Sequence, residues 1–348
     1  MYRKEENLIS QWCDRMLDHR EDCVVVGPWR SYPQQIIEVD QAMRGLVRTK
    51  GELFAHAVVG RRAALRIHPV VKRIRMLENL DYWAIEEFYA SHKLSPYFEI
   101  MSREFREFRA DVITGGYVDA AAANQWVDRI RQEALHSSFT AALSAQERSA
   151  RKNARSALDY VDSLYRRYSR LCVVRVDLAY SAEYRQTPEG KSIAPERVKR
   201  DLTAWLRALR LKFPSLVGYI WKLEYGPSKS YHVHVMALFN GHEIRQDVAI
   251  GKVLGEYWRD VITKGEGGYW NCNANKAYYE RFNGVGIGMV AHDDVEKRAR
   301  LKHAILYLAK ADYYARLNEP GIGRIFGKGQ LPVDYRPGRP RASDRPAE

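Results

Sequence analysis

Cysteine is scarce in this chain. The four that occur, at positions 13, 23, 172 and 272, are scattered with no paired short spacing. That distribution argues against a zinc ribbon and against a disulfide framework, and leaves reduced, mostly buried thiols as the expectation. Long apolar runs are missing as well, so no membrane span and no membrane partner are expected. The opening Met1-Tyr-Arg-Lys-Glu-Glu is too polar for the apolar core of a signal peptide, which makes a cytoplasmic protein the default. Internal repeats and low-complexity tracts are also absent.

What is present is ordinary globular composition, with 46% hydrophobic residues among 348. That length suggests about two domains. Lysine and arginine number 56 against 43 aspartates and glutamates, a formal net charge of +13. Such a surface favours a polyanionic partner, because neutralised phosphates release their counterions.

Apolar periodicity reads as helical in Leu53-Phe-Ala-His-Ala-Val-Val and in Trp83-Ala-Ile-Glu-Glu-Phe-Tyr. A basic stretch with Arg148, Arg151, Lys152 and Arg155 follows, and a boundary is set near residue 165, although one long connecting helix fits equally well. The character then changes. Leu171 to Tyr180 is rich in β-branched residues and predicts a central strand. Pro195 opens a helix whose Val198, Leu202, Trp205, Leu206 and Leu209 share a face. Residues 218–225 and 231–239 predict two strands joined by a five-residue turn at Gly226–Ser230, an antiparallel hairpin. An amphipathic helix is expected over 246–262 and a strand at 286–290. A last helix, capped by Asp293 or Asp294, is expected to run to about Leu317. The predicted class is α+β, an antiparallel sheet with helices on one face, preceded by a mostly helical region over 1–165. Residues 319–348 read as a basic, flexible tail rich in proline, glycine and arginine.

Chemistry concentrates in two places. His232 and His234 lie two apart in a strand, so both imidazoles face one way and Val233 and Val235 the other. Glu224, near the turn end of the partner strand, can bring a carboxylate alongside. A two-histidine, one-carboxylate set can hold a divalent cation with open positions for a phosphate and water. Lys222 shares the phase of Glu224, and Asp177 can approach from the neighbouring strand, either toward the cation or toward a nearby arginine. His242 is a spare candidate. On the last helix Arg300, His303, Tyr307, Lys310 and Tyr314 are spaced 3, 4, 3 and 4, on one helical face. Leu301, Ile305 and Leu308 lie on another face, toward the sheet. A tyrosine with a lysine one turn later suits attack on a phosphodiester.

Together these motifs resemble the HUH endonucleases: Tyr231-His-Val-His-Val with Glu224 eight residues before His232, and Tyr307-Leu-Ala-Lys310 downstream as the nucleophile motif. Trp221-Lys-Leu-Glu-Tyr-Gly, Gly286-Ile-Gly-Met-Val and Leu306-Tyr-Leu-Ala-Lys-Ala-Asp312 carry a closer likeness, to inovirus-type replication initiators and the YagK/YfjJ C-terminal domain. The resemblance covers roughly 170–318 and implies a Rep-type nicking domain over 166–318. It implies Mg²⁺ or Mn²⁺ held by His232, His234 and Glu224, with Tyr307 attacking the scissile phosphate and Lys310 orienting it. The product would be a 5′-phosphotyrosine and a free 3′-hydroxyl that starts rolling-circle replication. Implied partners are single-stranded or origin-hairpin DNA and a host helicase or polymerase, in the bacterial cytoplasm. Tyr314 stands as a possible second tyrosine or DNA contact, with His303 and Arg300 beside it. A relaxase or transposase of the same superfamily shares this chemistry. A DNA-binding regulator without catalysis is the reading from another class, and a cupin-type oxygenase fits less well because the carboxylate precedes the histidine pair.

Overall fold

The computed structural model describes residues 31–59, 62–107, 119–226, 229–280 and 286–331, and two short strands at 18–19 and 24–25. The first half is largely helical, with helices Tyr32–Arg48, Pro69–Arg75, Tyr82–Phe88, Pro96–Glu107 and Ala120–Leu135. They enclose one apolar cluster that includes Ile36, Met43, Leu46, Ile74, Phe98 and Ile130. One expectation fails here. The segment read as a helix from Leu53 forms the strand Phe54–Val59, paired antiparallel with Arg62–Ile67. The Asn124 amide clamps its start, accepting from the Leu53 and Phe54 N–H groups at 3.0 and 3.1 Å and donating to the Phe54 carbonyl at 2.8 Å. Seven apolar-leaning residues ending in two valines are too few for periodicity to separate helix from strand.

Helix α1 (Ser137–Arg167) spans 31 residues, about 46 Å at the usual rise. It runs across the expected boundary at 165 as one continuous element. Its first turns pack on the N-terminal cluster through Phe139. Its later turns lay Ala157, Tyr160, Val161 and Leu164 on the sheet.

The main sheet has six strands: β1 (Arg170–Tyr180), β2 (Leu216–Gly226), β3 (Ser230–Asn240), β4 (Gly267–Asn271), β5 (Gly288–Ala291) and β6 (Phe326–Lys328). Its order is β5-β1-β3-β2-β6, β4 also pairs with β1, and every pairing is antiparallel. The β2–β3 hairpin is tighter than expected, since Gly226 pairs with Ser230. Helices α2 (Pro195–Lys212), α3 (Asp247–Glu256) and α4 (Val295–Lys310) complete the unit.

Both faces of this sheet are covered, where helices on one face were expected. Val174, Val176, Val233, Val235 and Phe239 meet Val198, Leu202, Trp205 and Leu209 of α2 and Leu254 of α3 on one side. Val173, Ile220, Met236 and Leu238 meet α1 and the Leu301, Ile305 and Leu308 face of α4 on the other. The nearly unbroken burial along β1 and β3 marks a central strand covered twice, in place of the alternation a half-solvated sheet shows. Trp205 is wholly buried, its indole N–H donating to the Leu254 carbonyl at 3.1 Å. Truncating such a residue to alanine costs about 3–5 kcal/mol.

Helix α4 begins as expected, with the Asp294 carboxylate accepting from the Lys297 N–H. It ends at Lys310, short of Leu317. Residues Ala311–Tyr313 tighten into a 3₁₀ turn, and Ala315–Leu317 then pairs with His92–Leu94 of the N-terminal half. The flexible tail expected from 319 is ordered as far as 331: Ile322, Ile325 and Phe326 are buried, and Phe326–Lys328 supplies the edge strand β6. The remainder of that tail lies outside the described residues. Among the described residues no helix is long and apolar enough to cross a membrane.

Candidate metal centre

The α1/α4 face of the sheet is divided. Beyond its apolar half, the same alternation places Asp177 on β1, His232 and His234 on β3, and Lys222 and Glu224 on β2. Register aligns them in rows, with Asp177, His234 and Lys222 across three strands and His232 opposite Glu224. Five titratable side chains on a dry face are costly unless they satisfy one another.

They largely do. His232 Nδ1 donates to the Ser230 carbonyl at 3.1 Å, which leaves the Nε2 lone pair pointing away from its own strand. His234 Nδ1 lies 2.7 Å from Asp177 Oδ1 without hydrogen-bond geometry, and its Nε2 is hydrogen-bonded to Glu224 Oε2. Glu224 Oε2 sits 3.3 Å from His234 Nε2 and 3.7 Å from His232 Nε2. Glu224, His232 and His234 thus offer ligand atoms within 4.8 Å of one another, all three residues buried. Atoms bound to one cation at about 2.1 Å, with near-octahedral or tetrahedral angles, stand roughly 3.0–3.5 Å apart. The two Glu224 pairs are near that spacing, and the set, within 4.8 Å overall, suits a divalent cation once its widest pair closes. His232 Nε2, buried and without a hydrogen-bond partner, is the atom such an ion would satisfy.

Electrostatics favours the ligand forms. Burial pushes the His232 imidazole below its ordinary range and keeps it neutral. Burial would raise the Asp177 carboxyl, but the Arg175 guanidinium and His234 outweigh it and hold the group far below the usual carboxylate range. Of the two expectations set for Asp177, the arginine partner is the one met: Arg175 Nε donates to it at 3.3 Å, and it stands beside His234 but outside the ligand group.

Lys222 is on the predicted face and wholly buried, yet it turns to Asp312 in a buried ion pair. That pair draws the 3₁₀ turn after α4 onto the sheet. The predicted row on the last helix divides. Arg300 is half-exposed and pairs with Glu296, and His303 is exposed. Tyr307 is 3% exposed and packs with Ala311, Tyr314 and Ala315 in the N-terminal cluster, near enough to Arg175 to feel its charge. Tyr314 lies past the helix end, edge-on to Tyr313 at 4.6 Å, and is buried in the same cluster as Tyr307. The backbone of Lys310 closes α4; its side chain lies outside the described residues. His242 sits at the far end of the sheet, 2.7 Å from Ser169 Oγ and 3.1 Å from Arg170, away from the cluster.

Two contributors escaped the sequence reading. Asp312 carried no signal apart from its place in the Lys-Ala-Asp phrase. His92, from the N-terminal half, borders a small cavity with Lys222, Glu224 and Asp312 that has room for about one water. Its ring stands edge-on to Tyr89 at 5.1 Å, and its Nδ1 is buried with no hydrogen-bond partner. Burial lowers this imidazole to about 4.

The chain is thus a mixed α/β protein with a twice-covered antiparallel sheet and a buried two-histidine, one-glutamate cluster. The chain belongs to the YagK/YfjJ C-terminal domain family, whose model matches residues 136–329, more than half of its length. No match is found among curated proteins or among solved structures.

Proposed function

We propose that the chain is an HUH-type, metal-dependent nickase that cuts single-stranded DNA through Tyr307 to initiate rolling-circle replication. The convergence of Glu224 Oε2, His232 Nε2 and His234 Nε2 on the sheet face that α4 covers supports this reading above all else. His232, His234 and Glu224 hold Mg²⁺ or Mn²⁺ in it, and Asp177 stands beside the His234 ring. A bound divalent cation supplies Lewis-acid stabilisation of charge on the scissile phosphate. Tyr307 loses its phenolic proton and its oxygen bonds to phosphorus. The P–O3′ bond breaks, and the 3′-oxygen leaves and takes up a proton. A 5′-phosphotyrosine and a primer 3′-hydroxyl result, with Lys310 orienting the phosphate. A relaxase or transposase would use the same steps on a different DNA. The partners in this reading are origin DNA and the host replication machinery.

Tyr307 is 3% exposed, so cutting requires the N-terminal cover to open. That burial favours a second reading, a DNA-binding regulator that keeps the fold without catalysis.

The deciding experiment incubates the full chain with labelled single-stranded origin DNA and Mn²⁺, with an EDTA control. A denaturation-resistant adduct that needs metal and vanishes in Tyr307→Phe is expected, with Tyr314→Phe close to wild type. DNA binding without any adduct would sink the nickase and leave the regulator.

A further inference from the structure

A basic groove lies on the sheet face opposite the histidines. Trp221 and Lys222 are neighbours on β2, and strand alternation sends their side chains to opposite faces. Helix α2 buries Val198, Leu202, Trp205 and Leu209, so Lys199, Thr203, Arg207 and Arg210 fall on its outer side. Between that side and β2 runs a cavity of about 490 Å³, bordered by Lys199, Arg207, Arg210, Arg324, Tyr219 and Trp221, with no aspartate or glutamate in its lining. A second hollow shares Lys199, Thr203 and Arg207 and adds Arg200, extending the basic surface along the helix.

The cations here differ from others on the same helix. Arg197 and Arg200 pair with Asp201, and Arg197 also with Glu266. Among the described residues, Lys199, Arg207, Arg210 and Arg324 make no ion pair. The acid that Lys199 feels is Glu196, at the helix start. Arg207 and Arg210, one turn apart, are like charges that cost stability without an anion between them. Arg210 rests on Tyr219, 5.1 Å from its ring centroid. Trp221 is half-buried, its indole against Gly327 so closely that a Cβ there would meet it at 2.6 Å. The indole is thereby fixed as part of the groove wall.

We propose that this groove binds single-stranded DNA, with backbone phosphates on Lys199, Arg207 and Arg324 and an unstacked base on Trp221. Charge complementarity selects a polyanion. The fixed aromatic selects a single strand, because a duplex keeps its bases inside the stack. The groove takes from the nicking proposal only the choice of DNA; its cations and indole stand without it.

The test is anisotropy of a labelled oligothymidylate with the full chain in EDTA, across roughly 50–200 mM salt. Each phosphate contact on a single strand contributes a slope of about −0.7 in log K against log salt, or roughly fivefold in affinity at 0.1 M. Arg207→Ala/Arg324→Ala is expected to bind roughly 25-fold more weakly at 0.1 M, with the slope shallower by about 1.4. Arg207→Lys/Arg324→Lys should retain most of the binding, and Trp221→Leu should weaken it at an unchanged slope. If the double alanine variant does not fold by circular dichroism, Arg324→Ala alone tests half the slope change. No binding by the wild-type chain, an unchanged slope in the alanine variant, an equal loss in the lysine variant, or equal competition by duplex per nucleotide each overturns the groove. Failure of the nickase shows separately, as absence of the covalent adduct.

Discussion

Lys222→Met is the perturbation with the most to say about how the site is held. It leaves the Asp312 carboxylate buried with its cation gone, and Asp312 Oδ2 has no hydrogen bond to fall back on. Removing one partner of a buried pair costs about 3–5 kcal/mol, a large share of the roughly 5–15 kcal/mol that holds a domain together. The expected loss for Lys222→Met is therefore about 3–5 kcal/mol, and similar for Asp312→Leu. In Lys222→Met/Asp312→Leu no charge is left stranded, and apolar groups of similar size fill the space. The double variant should come back to within about 1–2 kcal/mol of wild type, so the coupling between the sites is several kcal/mol. Urea unfolding followed by far-UV circular dichroism at pH 7 measures all four corners of the cycle. Two single variants that each cost under about 1 kcal/mol, with additive effects in the double, would refute the claim that this pair docks the turn after α4.

Two further outcomes follow from the site. Asp177→Asn removes the charge beside His234 and should weaken Mn²⁺ binding about 10–100-fold by calorimetry; unchanged affinity would remove Asp177 from the centre. His92, lowered to about 4, stays neutral in the folded chain while the unfolded chain takes up a proton near pH 6.5. Its contribution is thus complete above pH 6.5 and is lost as pH falls toward 4, by roughly 2 kcal/mol after allowance for the ring's partial solvent contact. His92→Gln should flatten that part of the stability–pH curve, and parallel curves for the two proteins would count against it.

The strands and the cluster were legible because their signals are local. Alternation alone put His232, His234, Glu224 and Lys222 on one face, and the register then made them neighbours. Less was visible where distant chain decides. Leu53–Val59 is extended because Asn124 clamps it. Helix α4 stops at Lys310 because Asp312 is claimed by Lys222 and Ala315–Leu317 by His92–Leu94, contacts no periodicity encodes. The same long-range pairing brings His92 to Glu224. Coverage of both sheet faces was written in the continuous apolar character of β1, but such a run reads equally as one buried face.

The three-residue pairing of Ala315–Leu317 with His92–Leu94 bears on how this family can be divided and recombined. The matched segment begins at 136, so the partner strand lies outside it. So do most of the residues that cover Tyr307, Ala311, Tyr314 and Ala315. A chain cut at His136 would present a greasy belt beside an open backbone edge, the combination that drives clumping during expression. In this chain the two halves are therefore fitted to each other. A foreign front half grafted onto this sheet must bring its own short strand and its own lid for that belt, whatever else its sequence has become.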